Sequence, residues 1–172
     1  MKIYFFLTFA LLLFSCGTTV NYDYDKQTDF SSYTTYNYFP DIDSGLSELD
    51  NKRIVKATDS IMTLRGFTKN ETPQILINFF SKEGALRPKN TIRIGVGSGG
   101  GNVGVGVSGG IPIGGYVIDQ QVTIDFVSGP EDELIWHAVS NGAIKEKATP
   151  KQKEAHYFKL INKMLKGYPP KK

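Results

Sequence analysis

The sequence predicts an α+β fold: an antiparallel sheet with two helices packed on one face and a glycine-rich hairpin. Three observations predict it. Apolar residues recur at steps of three and four in only two stretches, near residues 44–66 and 149–167. Most other apolar runs alternate with period two, as strands do. The last two such runs are joined by a short Ser128-Gly129-Pro130-Glu131-Asp132 turn, which makes them antiparallel neighbours.

Val20 to Asp25 alternates as a strand, and Thr35-Tyr36-Asn37-Tyr38 reads as a second. Between residues 17 and 43 stand seven aromatics: Tyr22, Tyr24, Phe30, Tyr33, Tyr36, Tyr38 and Phe39. They suit a half-buried pleated face, where a ring supplies area and a tyrosine hydroxyl stays wet. The sharper reading makes Tyr33, Tyr36 and Tyr38 ligand contacts, a stacking platform for sugar rings or peptide. After Pro40 and the Asp41-Ile42-Asp43 turn, Leu46, Leu49, Ile54 or Val55, Ala57, Ile61 and Leu64 set a helical stripe that stops at Gly66. Gln74 to Phe80 is nearly apolar on both faces and reads as a central strand. Lys82 to Lys89 reads as a basic loop leading to a short strand at Thr91–Ile94.

Residues 95–115 hold 11 of the 18 glycines and alternate Gly with Val. This predicts a hairpin or loop turning near Gly99–Asn102, with poor register because a glycine face packs nothing. Tyr116–Val127 and Glu133–Ser140 resume firm strands. Thr149-Pro150, an N-cap followed by Pro at N1, opens the last helix. Its stripe is Tyr157, Phe158, Ile161, Met164 and Leu165, and Gly167 ends it.

Ahead of the domain, Met1-Lys2 carries a positive charge, Ile3 to Phe14 is a 12-residue run with Thr8 its only polar member, and Ser15-Cys16 follows. This is the layout of a secretory signal. The run is short of the about 20 apolar residues that span a bilayer. Leu13-Phe14-Ser15-Cys16 resembles a bacterial lipobox, which implies diacylglycerol on the Cys16 thiol, cleavage before it and acylation of the new amine. The expected organisation is therefore a lipoprotein signal peptide at 1–15, a lipidated tether at 16–19 and a single domain at 20–170. Two or three acyl chains would hold the protein on a membrane effectively permanently. Gly17, by resemblance to enterobacterial lipoproteins, favours the outer membrane over retention, with the domain facing the periplasm.

Composition excludes several functions. Cys16 is the only cysteine of the 172 residues, so no disulfide forms within the chain. Without Lys2, 19 Lys and Arg face 17 Asp and Glu, a net charge of +2. That is too near neutrality to suggest nucleic acid or an electrostatic membrane patch. The glycine run satisfies G-x-G-x-x-G three times, yet no helix follows to receive a pyrophosphate, so no dinucleotide cofactor is expected. Asp23-x-Asp25 and Asp41-x-Asp43 begin like calcium loops but lack the Gly and Glu those loops require. His137 and His156 are the only histidines and read as ordinary strand and surface residues, leaving no metal set. No G-x-S-x-G elbow occurs.

Tyr22-Asp23-Tyr24-Asp25, Asp29-Phe30-Ser31-Ser32-Tyr33-Thr34-Thr35-Tyr36, Arg53-Ile54, Leu64-Arg65-Gly66-Phe67, Leu134-Ile135-Trp136-His137 and Tyr168-Pro169-Pro170 together resemble the bacterial lipoprotein family called domain of unknown function 4136. Gln74 and His137 stand where Asp and Arg are common in that family. The resemblance implies a membrane-anchored α+β domain and carries over no catalytic or ligand residues. The expected function is a non-enzymatic envelope lipoprotein, a binding or structural module whose partner is another envelope protein or a glycan. The alternative is an unrecognised periplasmic hydrolase.

Overall fold

A computed structural model describes residues 18–93 and 110–170. The leader, Cys16 and the expected turn at Gly99–Asn102 lie outside the described residues. Six strands form one sheet in the order β1-β6-β5-β4-β2-β3: β1 is Thr19–Tyr24, β2 Thr35–Tyr38, β3 Thr68–Lys69, β4 Ile75–Arg93, β5 Gly110–Ser128 and β6 Leu134–Lys145. Helix α1 spans Glu48–Leu64 and α2 spans Pro150–Leu165. The expected α+β class, one sheet with two helices, is what the chain forms.

The sheet is mixed. Strands β1, β6, β5 and β4 pair antiparallel, whereas β2 pairs parallel with both β4 and β3. The cause is α1: a helix between two strands lets the chain return in the same direction, as a hairpin cannot. Lys82–Lys89 is not a loop. It is the middle of β4, which runs unbroken beside β5 from the Ile75–Ser128 pair to the Arg93–Gly110 pair. Gly84 and Pro88, which suggested a break, sit beside two register shifts, between Glu83 and Leu86 and between Pro88 and Asn90. Strands tolerate Gly and Pro at such bulges. Gly114 and Gly115, at φ +85° and +79°, take up the second shift in a conformation that other residues rarely adopt.

Both helices cover one face. There Ile75, Ile77 and Phe79 of β4 meet Phe126, Ile124 and Val122 of β5 and Trp136 and Ala138 of β6, all buried. Helix α1 contributes Ile54, Ala57, Ile61 and Met62, and α2 contributes Tyr157, Leu160, Ile161, Met164 and Leu165. Leu49, Leu64 and Phe158 fall outside these stripes and are exposed, and Leu160 takes the place expected of Phe158. The helices start as their caps dictate: Ser47 accepts from the Asp50 amide, and Thr149 and Gln152 form a reciprocal capping box.

The helices are locked by buried charge. Asp50 is 5% exposed and accepts from Arg53 at 2.6 Å, Lys153 of α2 at 2.8 Å and Ser47 at 3.0 Å. Burial alone would raise its pKa, but the hydrogen bonds from Lys153, Ser47 and Arg53 outweigh it and hold the carboxyl below its usual range. Arg65, the α1 C-cap, donates to the carbonyls of Leu165 and Tyr168 and so ties down the C-terminal segment. There the Tyr168 ring is packed among Phe126 at 4.6 Å, Trp136 at 5.4 Å, and Phe30 and Phe67 at 5.8 Å.

Two outcomes follow from this packing. Tyr168→Ala opens a cavity among four rings and is expected to cost about 3–5 kcal/mol, read as a lower urea midpoint. Asp50→Ala leaves Arg53 and Lys153 facing each other and is expected to cost about 3 kcal/mol at pH 7. Because the folded-state pKa of Asp50 is depressed, its contribution is complete above the unfolded value of about 3.9 and disappears as pH falls through the folded value. Denaturation midpoints of the two proteins should therefore converge in acid; a pH-independent gap would contradict the assignment.

Candidate functional site

The tyrosines expected to contact a ligand are placed by the fold in two different settings. Tyr36 and Tyr38 lie two apart on β2 and both turn toward α1, where their hydroxyls donate to the same Asp59 oxygen at 2.9 and 2.8 Å. Tyr36 is 1% exposed, so its ring presents no stacking surface. Burial first, and then Asp59, push its hydroxyl up to about 12; the same two causes raise Tyr38. Tyr38 is half-buried, edge-on to Tyr36 and Phe79. Tyr33 is separate, half-buried, with its hydroxyl 3.4 Å from Ser128 Oγ.

The surrounding segment is a clasp. Asp29 caps a single 3₁₀ turn at Phe30–Ser32, which buries Phe30 against Tyr168. Gln74 then pins the turn to β4: its Oε1 accepts from the Thr34 amide at 2.8 Å and the Thr35 amide at 3.2 Å, and its Nε2 donates to the Ser32 carbonyl at 3.2 Å.

A concave surface of 580 Å³ lies at the Tyr24 end of the sheet, beside Asp25, Asp29 and Pro169. Asp25 there serves its own loop, accepting from the Gln27 amide at 3.0 Å and Thr28 Oγ1 at 2.7 Å, and these bonds hold its carboxyl below the usual range. On the sheet face away from the helices, His137 Nδ1 lies 2.5 Å from Asp125 Oδ1. Among the described residues no group of three or more His, Cys, Asp or Glu is placed to hold a metal ion.

A cleft of 1370 Å³ opens at the other end, between α2 and strands β4 to β6. Its walls include Lys82, Arg87 and Lys89 of β4, Asp119 and Gln120 of β5, Asn141 and Gly142 of β6, and His156, Lys159 and Lys163 of α2. Gly142 belongs there sterically: a Cβ on it would stand 2.7 Å from Thr18 Oγ1. Arg87 is engaged by Asp119 at 2.8 and 3.0 Å.

The cleft holds two buried polar atoms without a protein hydrogen bond, Gln120 Oε1 and His156 Nε2. Gln120 is 5% exposed and spends its amide nitrogen on Tyr157 Oη at 3.3 Å. An unsatisfied buried acceptor of this kind costs about 1–3 kcal/mol until a donor reaches it. Burial pulls the His156 pKa below its ordinary value, with Asp50 acting weakly the other way, so the ring stays neutral at pH 7. The two unpartnered polar atoms are sealed behind the cleft wall, and ammonium groups stand at its rim. Such a rim suits a ligand carrying negative charge. Sequence reasoning set His156 aside as a surface residue because its helical neighbours are charged; only tertiary packing reveals that Gln120 stands in the same cleft.

The structure is an open mixed sheet with both helices on one face, an α+β domain with concave surfaces at both ends of the described sheet. The chain belongs to the family described as domain of unknown function DUF4136, whose model matches residues 20–170. No curated protein matches it. Among solved structures it is similar to a PDZ domain protein from Parabacteroides distasonis, with TM-score 0.55 and 14% identity over 96% of this chain and 40% of that one. It therefore spans well under half of that protein. It is also similar to a PelC dodecamer from Paraburkholderia phytofirmans, with TM-score 0.50 and 12% identity over 86% of this chain and 95% of that one. At such identities the likeness concerns the fold.

The depressed His156 pKa has a measurable consequence. Its neutral form is the folded one, so its contribution is complete above about pH 6.5 and declines as pH falls through the folded value. Wild type should lose stability between pH 7 and 5 more steeply than His156→Gln, followed by urea denaturation. Identical slopes would place the ring in water.

Proposed function

We propose that the protein is a membrane-anchored envelope lipoprotein that binds rather than transforms its ligand, and that the cleft between α2 and strands β4 to β6 holds an anionic glycan. The observation that carries the binding reading is the cleft itself, whose walls bring Lys82, Lys89, Lys159 and Lys163 together with the polar side chains of Gln121 and Asn141. A carboxylate or phosphate on the sugar meets Lys159 and Lys163, and its hydroxyls meet the polar side chains along the wall. The anchoring reading rests on Ile3–Phe14 followed by Ser15-Cys16. Among the described residues no helix is long and apolar enough to cross a membrane; acyl chains on Cys16 would supply the attachment.

Each half has its own test. Cys16→Ala is expected to move the protein from the membrane fraction to the soluble one, and intact mass of the wild type should show a missing leader and added acyl chains. A bare thiol or a retained leader would contradict anchoring. For the cleft, titration calorimetry with polygalacturonate should give binding that neutral dextran does not. Lys159→Glu with Lys163→Glu should weaken it at least about tenfold, since each charge reversal removes an attraction of order 1 kcal/mol and adds a repulsion. Equal binding by the variant would overturn the glycan reading.

A further inference from the structure

We propose that the outer part of the β4–β5 pair is a lipid-contacting arm, which lies along the bilayer surface at headgroup depth and presses an apolar face into it while its basic residues meet anionic lipid phosphates. The proposal rests on the anchoring reading for its geometry and adds a second point of membrane contact.

The geometry comes from strand register. Thr19 pairs with Asn141, Asn141 with Gln121, and Gln121 with Lys82, so these four residues form one row across the sheet. The chain enters the sheet at this row. Beyond it, β4 continues to Arg93 and β5 starts at Gly110, eleven residues on each strand. At about 3.3 Å per residue the arm reaches roughly 30 Å past the row. Cys16 precedes Thr18 by two residues, which reach at most about 7 Å. Even with a twist of about 20–25° per strand, the arm overshoots the tether several-fold on the tether's own side. A body held so closely at Cys16 brings the arm against the lipid.

The arm is built for such a surface. Cross-strand partners share a face, and Leu86–Ile118, Pro88–Tyr116, Asn90–Ile113 and Ile92–Ile111 follow one another on the helix-side face. Five of the ten exposed large apolar residues among those described are here: Leu86 at 53%, Ile92 at 52%, Ile111 at 55%, Ile113 at 45% and Tyr116 at 44%. A patch of this kind on a soluble face marks an interaction surface. The arm's strands, 83–93 and 110–120, carry Arg87, Lys89 and Arg93 against Glu83 and Asp119, and Asp119 engages Arg87, which leaves Lys89 and Arg93 for headgroups. The tether selects the occupant: a lipid on Cys16 holds this side of the domain at the bilayer, where Lys89 and Arg93 complement anionic headgroups. The open backbone edges of a two-stranded ribbon keep it at the interface, because unpaired amides are not tolerated in hydrocarbon.

The test uses the unlipidated chain from Gly17 to Lys172, which retains the entire core, since all core residues lie between Phe30 and Tyr168. It is sedimented with vesicles of phosphatidylethanolamine and phosphatidylglycerol, and with vesicles of phosphatidylcholine alone. Binding to the anionic vesicles is expected, weaker at high salt. Ile92→Thr, Ile111→Thr and Ile113→Thr combined keep β-branched side chains but should lower partitioning at least about tenfold. Lys89→Gln with Arg93→Gln should lower it roughly tenfold on the anionic vesicles and leave phosphatidylcholine unaffected. Unchanged emission from buried Trp136 verifies the fold of each variant. No sedimentation, or equal sedimentation by the threonine variant, overturns the proposal. So does a stable oligomer by light scattering that ignores vesicles, which would make a second copy the occupant. None of these results depends on the mass of Cys16, so failure of the arm and failure of the anchor are read separately.

Discussion

The antiparallel ladder between β4 and β5 is the constraint on which the rest of the molecule depends. Its inner half, from the Ile75–Ser128 pair to the Glu83–Gln120 pair, is the middle of the sheet and carries the apolar side chains that both helices cover. Its outer half exposes Leu86, Ile92, Ile111, Ile113 and Tyr116 and is joined by β6 only as far as Val117. One continuous pairing therefore makes both the core and the arm. The large cleft forms where the ladder leaves the shelter of α2, at the level of Gln120 and Lys82.

The aromatic N-terminal segment belongs to the fold rather than to the cleft. Phe30 and Tyr36 are buried, Tyr38 shares Asp59 with Tyr36, and Gln74 holds the intervening turn to β4. Tyr168, from the far end of the chain, closes the same core through Phe30, Phe126 and Trp136. The residues that carry the family resemblance thus include those that join the two chain ends around the core. A likeness in these positions reports architecture and leaves the binding surfaces free to differ.

Much of the architecture was legible because it is local. Both helices announce themselves through period and caps, and Thr149-Pro150 marks its helix start. The parallel placement of β2 was not, since strand direction is decided by tertiary pairing. The β4 strand was misread at Lys82–Lys89 because Gly84 and Pro88 are ordinary strand breakers and only a partner strand shows that they sit at bulges. The candidate site was less legible still. Gln120 carries no motif, and its significance lies in an acceptor left without a donor once α2 has packed. Net charge is a coarse guide: +2 without Lys2 averages over 35 consecutive residues, 84–118, without a single acid.

The central claim is that β4 and β5 remain paired well beyond the sheet, on the side where the chain enters it. Cross-strand nuclear Overhauser effects in the chain from Gly17 measure this most directly. The account predicts contacts of Leu86 with Ile118, Asn90 with Ile113 and Ile92 with Ile111, with extended-strand shifts for residues 86–93. Coil-like shifts across 86–93 and 111–116 with none of those contacts would contradict it.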